Sequence, residues 1–237
     1  KAAIVTGGGT GIGEAICMKF AHEGAKIIVN GLAGDPIEDV AAAIRSRGRE
    51  AVAVAGDVSL EEQAKHCVEA AIEHFGKLDV LINHAGILLV NAETDEFPLD
   101  QFDLHIRHNV RSAFLMTKFA LPYLRETKGN VICASSEAGV NGQPRSTPYG
   151  GTKAFLQAFM MGVAVEQAQY GVRANCICPG PIDTPWTHKE TGPVDEKIEE
   201  VLLSSTPFGR RGTPEEVANV YAFLASDQAS FVTGATW

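Results

Sequence analysis

TGGGTGIG, at residues 6–13, is the stretch of sequence that decides the fold. It follows the apolar run AAIVT at residues 2–6, and after it Ile12, Ile16 and Phe20 recur with the period of an α-helix. Glycines between a strand and a helix let the backbone come close to a phosphate group, whose charge faces the free N–H groups of the helix N-terminus. The spacing G-x-x-x-G-x-G differs from the common G-x-G-x-x-G fingerprint. The stretch therefore predicts a phosphate-binding turn, with a plain glycine turn as the alternative.

Strand-like apolar runs alternate with helical segments along the rest of the chain, which predicts parallel strands with helices on both faces. We predict seven strands, at residues 2–6, 26–30, 51–55, 78–83, 130–135, 172–178 and 231–235. Another helix should begin at Pro214, because Thr213 before it can act as a cap and two acids follow it. The expected fold is a Rossmann-like, three-layer α/β sandwich in a single domain, 1–237. A lid is expected at about residues 183–205, which lack a clear period.

The composition argues against two classes of partner. Twenty-nine acidic against 20 basic residues give a net charge of −9, which repels nucleic-acid backbones. Arg45, Arg47 and Arg49 follow the end of a predicted helix, and we interpret them as solvated charges. No apolar stretch approaches the roughly 20 residues that a membrane helix needs. The sequence therefore predicts a protein that binds neither nucleic acid nor membrane.

The five cysteines are odd in number, include no C-x-x-C pair and mostly lie in apolar runs. This usage is typical of reduced, packed thiols in the cytoplasm. Cys176 and Cys178 lie two residues apart on a predicted strand, where a weak metal site is the alternative to simple burial. We predict a cytoplasmic protein without a metal site.

Tyr149 and Lys153 are four residues apart, a spacing that places both side chains on one face of a helix. Opposite charges about 4 Å apart attract by about 4 kcal/mol at an effective dielectric of 20. A lysine in this position is therefore able to stabilise the phenolate and make the tyrosine a working acid and base. The pair alone is weak evidence, because Tyr-x-x-x-Lys also occurs by chance on surface helices.

Further motifs stand at strand ends in a fixed order, namely the glycine-rich turn, NHAG at 83–86, two serines at 135–136, Tyr149 with Lys153, and Pro179-Gly180. In order and spacing the chain resembles the short-chain dehydrogenase/reductase family over essentially its whole length. The resemblance implies an NAD(P)-dependent oxidoreductase that acts on CH–OH groups, with a catalytic tetrad of Asn109, Ser136, Tyr149 and Lys153.

The resemblance also implies a role for each member of the tetrad. Ser136, thirteen residues before Tyr149, would hold the substrate oxygen, whereas Ser135 should point to the other face of its strand end. Tyr149 would donate a proton to the carbonyl in reduction or remove one from the alcohol in oxidation. Lys153 would assist Tyr149 and bind the nicotinamide ribose. Asn109 would hold a water in the proton relay, and satisfying buried backbone is its alternative role.

Residues at the strand ends are the implied cofactor contacts: Gly7, Gly9, Thr10, Gly11, Ile12, Gly13, Asp57, Val58, Asn83, Ala85, Gly86, Tyr149, Lys153, Pro179, Gly180, Ile182 and Thr184. Asp57 would receive the adenine amino group, with helix capping as its alternative role. Ile182 and Thr184 would bind the carboxamide. His84 departs from the family's usual Asn-Asn-Ala-Gly and puts the local polarity of the pocket in doubt.

The choice between NAD and NADP depends on charge. In the family, NAD-type members end the second strand with an acid, and NADP-type members place a basic residue there or just before Gly11. This chain has Gly31 and Thr10 at those positions. Because no cation is available for a 2′-phosphate, we expect NAD rather than NADP, with Asp35 as a ribose contact.

Two other function classes compete with an oxidoreductase. A cofactor sensor or scaffold would bind the dinucleotide without turnover, but it would not need the complete tetrad. A methyltransferase would need an acid at the end of the second strand, where this chain has Gly31.

The substrate stays open among a sugar, a hydroxy acid, a quinone-like ring and a 3-oxoacyl group. The residues expected to flank its pocket have mixed polar and aromatic character: Glu137, Asn141, Gln143, Trp186 and His188. The resemblance also implies a homotetramer built on the helices at 101–124 and 149–170.

Overall fold

The computed structural model describes residues 1–185, 203–204 and 206–237. Its centre is a parallel sheet with the strand order β3-β2-β1-β4-β5-β6. The strands are β1 (Ala2–Thr6), β2 (Lys26–Gly31), β3 (Ala51–Ala55), β4 (Val80–Asn83), β5 (Asn130–Ala134) and β6 (Arg173–Ile177). Their order reverses beside β1, because β2 and β4 flank it on opposite sides.

The prediction of seven strands is wrong, because the described sheet has six. The segment expected at 231–235 begins in a turn in which Phe231 is fully exposed, and Gly234 has a φ of 71°. The chain then runs beside β6 with a single parallel bridge between Cys176 and Thr236. A left-handed residue and one bridge do not make a continuous ladder, so this segment covers the edge of β6 without forming a strand.

Helices cover both faces of the sheet. In the part of the chain that the structure describes, the helices with full bounds are α1 (Gly11–His22), α2 (Ile37–Ser46), α3 (Glu61–Phe75), α4 (Leu99–His105), α5 (Ser112–Thr127), α6 (Thr147–Gln167) and α7 (Pro214–Ala225). A π-helical turn at Ile106–Arg111 and short 3₁₀ turns at Glu137–Gly139, Ala168–Tyr170 and Asp227–Ala229 accompany them. The start of α7 is as predicted: the Thr213 hydroxyl and the Glu216 side chain form a reciprocal capping box. The helix expected at 101–124 instead contains the π-helical turn.

Alternating side chains of the strands build two apolar cores. Along β1, Ile4 belongs to the core shared with α3, α5 and α6, whereas Val5 belongs to the core shared with α1, α2 and α7. The three-layer, Rossmann-like α/β sandwich predicted from the alternating pattern is therefore correct. Most of the predicted lid, at residues 186–202 and 205, lies outside the described residues.

Candidate active site

A cavity of about 490 Å³ lies at the carboxyl ends of the strands, where the strand order reverses. Ligands of open α/β sheets bind at this kind of edge, and the volume is typical of small-molecule sites. Sixteen of the predicted site residues line it: Gly7, Gly9, Thr10, Gly11, Ile12, Asp57, Val58, Ala85, Gly86, Ser136, Tyr149, Lys153, Pro179, Gly180, Ile182 and Thr184.

Three predicted site residues lie behind the cavity wall. Gly13 is buried in the first turn of α1, and a methyl group on it would lie 1.9 Å from the carbonyl oxygen of Gly7. Asn83 turns its amide away from the cleft and donates to the hydroxyl of Thr117 at 3.0 Å. Asn109 is buried in the π-helical turn. These residues shape the cavity from behind.

The glycine-rich turn brings the backbone of β1 close to the strand end of β4. Gly7 has a φ of 65°, and a side chain there would lie 3.1 Å from the Cα of Ala85. The hydroxyl of Thr6 accepts hydrogen bonds from the N–H groups of His84 at 3.0 Å and Ala85 at 3.1 Å. The turn and the loop after β4 are thus held together at the N-terminus of α1.

Tyr149 and Lys153 lie on the same face of α6, as their spacing predicts. The Lys153 Nζ lies 5.5 Å from the centroid of the Tyr149 ring and donates to the carbonyl of Ala134 at 2.8 Å. Although Lys153 is 5% exposed, it lines the cavity. A β-carbon on Gly86 would lie 3.2 Å from the Nζ of Lys153. A buried cation therefore stands between the tyrosine ring and the loop after β4.

The two serines that follow β5 have different environments. The hydroxyl of Ser135 donates to the carbonyl of Lys153 at 2.8 Å and accepts from Gln157 at 3.0 Å, which ties β5 to α6. The Ser136 oxygen accepts the N–H of Ala138 at 3.1 Å. Because that bond uses only the oxygen, the Ser136 proton is available to a ligand. Both serines line the cavity, but the hydroxyl of Ser135 is engaged by α6, whereas the Ser136 hydroxyl keeps a proton for a ligand.

Asn109 holds the loop after β4 in place. Its amide oxygen accepts the N–H of Ile87 at 2.7 Å, and its Nδ2 donates to the Ile87 carbonyl at 2.9 Å and to the Thr152 hydroxyl at 3.1 Å. Thr152 in turn donates to the carbonyl of Tyr149 at 2.7 Å. The side chain therefore satisfies buried backbone groups, and it links the π-helical turn to the start of α6. Such π-helical turns are frequent at functional sites.

Asp57 follows β3 and is engaged by neighbouring groups. Its carboxylate accepts the N–H of Ser59 at 3.0 Å and forms a 2.8 Å ion pair with Arg107. Partial burial opposes ionisation, but hydrogen bonds from Ser59 and the charges of His108 and Arg107 outweigh it and hold the pKa of Asp57 below its ordinary value. Helix capping by Asp57 does not occur, because Leu60 is the N-cap of α3.

Asp35 occupies the place that a side chain on Gly31 would fill. A β-carbon on Gly31 would lie 2.8 Å from the Asp35 Oδ2, and the same oxygen accepts the N–H of Leu32 at 2.7 Å. Asp35 also lies next to Gly9 of the glycine-rich turn, because a β-carbon on Gly9 would lie 3.4 Å from the Cβ of Asp35. Asp35 lines the cavity, so a carboxylate stands at the end of β2 although the strand itself ends in glycine.

His84 packs its ring against the glycine-rich turn. Its Cδ2 lies 3.0 Å from the β-carbon position of Gly13, and its buried Nδ1 has no hydrogen-bond partner. Burial and then the positive charge of Lys153 lower the pKa of His84 to about 4. The ring is therefore neutral at physiological pH. Of the other flanking residues, Glu137 and Gln143 line the cavity, Asn141 does not, and Trp186 and His188 lie outside the described residues.

The cavity suits a dinucleotide. It combines a glycine-rich turn at the N-terminus of a 12-residue helix, a carboxylate at the end of β2, and an apolar residue, Val58, after β3. A side chain on Gly13 would collide with backbone, and one on Gly7 would be strained by its φ of 65° and crowded by Ala85. The described residues hold no group of three side chains suited to a metal ion, and none of their helices is long and apolar enough to cross a membrane. Fold and site together define an α/β protein of the dinucleotide-binding type.

Comparison with known proteins identifies the family. A family model described as enoyl-(acyl carrier protein) reductase matches residues 7–237. L-fucose dehydrogenase of Bos taurus is 38% identical over 237 residues (99% of this chain, 86% of the relative), and 3-oxoacyl-[acyl-carrier-protein] reductase FabG of Thermotoga maritima is 34% identical over 239 (99% and 94%). The crystal structure of levodione reductase has a TM-score of 0.94 at 33% identity, covering 100% of this chain and 94% of that one. The chain belongs to the short-chain dehydrogenase/reductase family, whose members are oxidoreductases that bind NAD(P).

Sequence reasoning missed several residues that support the site. The hydroxyl of Thr6 positions the loop after β4, and the hydroxyl of Thr152 positions the start of α6. The guanidinium of Arg107 positions Asp57. Thr152 could have been found from its place beside Lys153 on a helix that must face Asn109. The Arg107 contact could not, because it joins segments that are 50 residues apart.

Proposed function

We propose that this chain is an NAD-dependent oxidoreductase that transfers a hydride between the nicotinamide and the carbon of a carbonyl or secondary alcohol. The observation that carries the proposal is the convergence of Ser136, Tyr149 and Lys153 on one cavity that the glycine-rich turn also lines. When bound, the nicotinamide would supply the hydride in reduction and receive it in oxidation.

The protein's own residues would handle the oxygen and its proton. In reduction the carbonyl carbon gains a hydride, so its oxygen becomes negative and needs a proton. Ser136 would hold this oxygen by a hydrogen bond, and Tyr149 would donate the proton. The Lys153 ammonium, 5.5 Å from the Tyr149 ring centroid, would stabilise the phenolate left behind. In oxidation Tyr149 would take the proton from the alcohol. Asn109 would position Tyr149 through Thr152, whose hydroxyl donates to the Tyr149 carbonyl.

Asp35 supports NAD over NADP. Its carboxylate stands at the end of β2, between Gly9 and Gly31, and lines the cavity. A carboxylate in this position accepts hydrogen bonds from ribose hydroxyls and repels a 2′-phosphate. Asp57 and Val58 would contact the adenine, and Pro179, Gly180, Ile182 and Thr184 the nicotinamide end.

The relatives' names leave the substrate class open. One is named for a sugar, L-fucose, and another for a 3-oxoacyl group on a carrier protein. A sugar, a hydroxy acid, a quinone-like ring and a 3-oxoacyl group are therefore all candidates for this chain.

The experiment is a screen of carbonyls and alcohols with NAD(H) and NADP(H), followed at the absorbance band of the reduced nicotinamide. Turnover is expected for the unmodified chain, and Ser136→Ala should reduce kcat by about a hundredfold, the lower range for one positioned polar group. Ser135→Ala is the matched control, whose effect should appear in stability because Ser135 ties β5 to α6. Tight NAD binding with no turnover of any compound would favour the sensor or scaffold.

A homotetramer in the cytoplasm completes the proposal. Exposed apolar side chains on the predicted interface helices support it, because Phe114, Met161 and Val165 are 47%, 48% and 81% exposed. All five cysteines are free thiols, which suits a reducing compartment. Light scattering should give four times the chain mass, and Val165→Glu should lower it.

A further inference from the structure

We propose that Glu137 selects the substrate, and that the substrate is a neutral polyhydroxylated carbonyl or alcohol, a sugar or a polyol, rather than an acid. The inference rests on the proposed function, because it takes Ser136 and Tyr149 as the groups that hold the reacting oxygen. It separates the substrate classes that the sequence leaves open.

Glu137 stands at the substrate end of the cavity. It directly follows Ser136, and its N–H donates to the carbonyl of Pro179 at 3.0 Å. Its Oε2 lies 3.2 Å from the β-carbon position of Gly180. The carboxylate is thus fixed between Ser136 and the turn after β6. A molecule with its reacting oxygen at Ser136 would place its neighbouring carbons, and their substituents, close to Glu137.

The carboxylate of Glu137 has a neutral partner. The Nε2 of Gln143 donates to its Oε1 at 3.4 Å, and no described residue forms an ion pair with it. Partial burial raises the pKa of Glu137. An ionised carboxylate accepts about four hydrogen bonds and donates none, so a single amide leaves most of its capacity unused. Hydroxyl groups on a ligand would supply the missing donors.

The same carboxylate disfavours acidic substrates. A carboxylate on the carbon next to the reacting oxygen would meet a like charge in a partly buried place, where repulsion is stronger than in water. Arg211 also lines the cavity and would favour acids if it dominated. The preference of the unmodified chain between a neutral and an acidic ligand therefore decides which charge controls the site.

The test compares a matched set of ligands: a neutral aldose or its polyol, the corresponding sugar acid, and the corresponding amino sugar. Their affinities for the NAD-loaded chain are measured by calorimetry, and turnover is measured separately. The unmodified chain should bind the neutral ligand at least tenfold more tightly than the acid. Glu137→Gln, which keeps the shape and removes the charge, should bring the two affinities within about threefold and leave NAD affinity unchanged. Glu73→Gln, the same charge change on the exposed face of α3, is the control and should alter neither.

Equal or tighter binding of the acid than of the neutral ligand, a ratio that Glu137→Gln leaves unchanged, or weaker binding of the amino sugar than of the acid would overturn the inference, because the Glu137 carboxylate repels an acid and attracts an ammonium group. Turnover without charge selectivity contradicts this inference and leaves the oxidoreductase proposal standing. Selective binding of the neutral ligand without any turnover supports the inference about the ligand and contradicts the proposed catalysis.

Discussion

Replacing Asp35 by asparagine should remove the preference of this chain for NADH over NADPH. The carboxylate of Asp35 stands where a β2-terminal side chain would stand, 2.8 Å from the β-carbon position of Gly31. Asparagine keeps an oxygen that can accept the Leu32 N–H, a bond of 2.7 Å in the native chain. The substitution therefore removes the charge and retains the local backbone geometry.

The size of the effect follows from elementary electrostatics. Two like unit charges about 4 Å apart repel by about 1 kcal/mol in water and by about 4 kcal/mol at an effective dielectric of 20. Asp35 is exposed, so the lower value applies. A phosphate group carries about 1.5 to 2 negative charges near neutral pH. The discrimination should therefore be about 1.5 to 2 kcal/mol, or somewhat more than tenfold.

The assay is kcat/KM for both reduced cofactors with one carbonyl substrate. The native chain should prefer NADH by tenfold or more, and Asp35→Asn should bring the ratio close to one. Asp39→Asn, the same charge change in the first turn of α2 and away from the cavity, should leave the ratio unchanged. A native preference for NADPH of tenfold, or a ratio that Asp35→Asn does not move, would refute the role given to Asp35.

Two further predictions concern stability. The unfolded chain takes up a proton on His84 below about pH 6.5, whereas the folded chain, in which His84 has a pKa of about 4, does not. The free energy of unfolding therefore falls as pH falls, by about 2 kcal/mol between about pH 8 and pH 5. Urea denaturation should show this acid loss reduced in His84→Asn, and an identical pH slope would contradict the burial of a neutral ring. Gly13→Ala should lower the free energy of unfolding by about 3 kcal/mol, because its methyl group would lie 1.9 Å from the Gly7 carbonyl oxygen. Gly162→Ala, at a position with open space on α6, should raise it by about 0.5 to 1 kcal/mol. Equal effects at the two glycines would contradict the close packing of the glycine-rich turn.

The parts of the fold that follow local periodicity could be predicted from the sequence. The apolar runs locate all six strands of the sheet, and the alternation of strands and helices predicts the layers. The expected seventh strand failed because its apolar residues lie in a turn and beside Gly234, whose positive φ interrupts extended structure. The π-helical turn at Ile106–Arg111 has no counterpart in hydrophobic spacing, so the sequence predicted an uninterrupted helix there.

Within the site, predictable features are those fixed by backbone geometry. The spacing of Tyr149 and Lys153 on one helix sets their proximity. The alternation at the end of β5 predicts different faces for Ser135 and Ser136, but both line the cavity, and only their hydrogen bonds differ. Asp35 filling the space beside Gly31 depends on the conformation of the loop after β2, which a sequence pattern does not describe. The engagement of Asp57 by Arg107 depends in the same way on how distant segments cross.

The most direct test of the central claim is Tyr149→Phe, with NAD affinity measured by fluorescence and turnover measured with an accepted substrate. The substitution removes only the hydroxyl, so NAD affinity should stay within about threefold of the native value. Turnover should fall by about a thousandfold, because a positioned acid and base contributes on the order of a hundred- to ten-thousandfold. Turnover within tenfold of the native rate, or a loss explained by failure to bind NAD, would contradict the account.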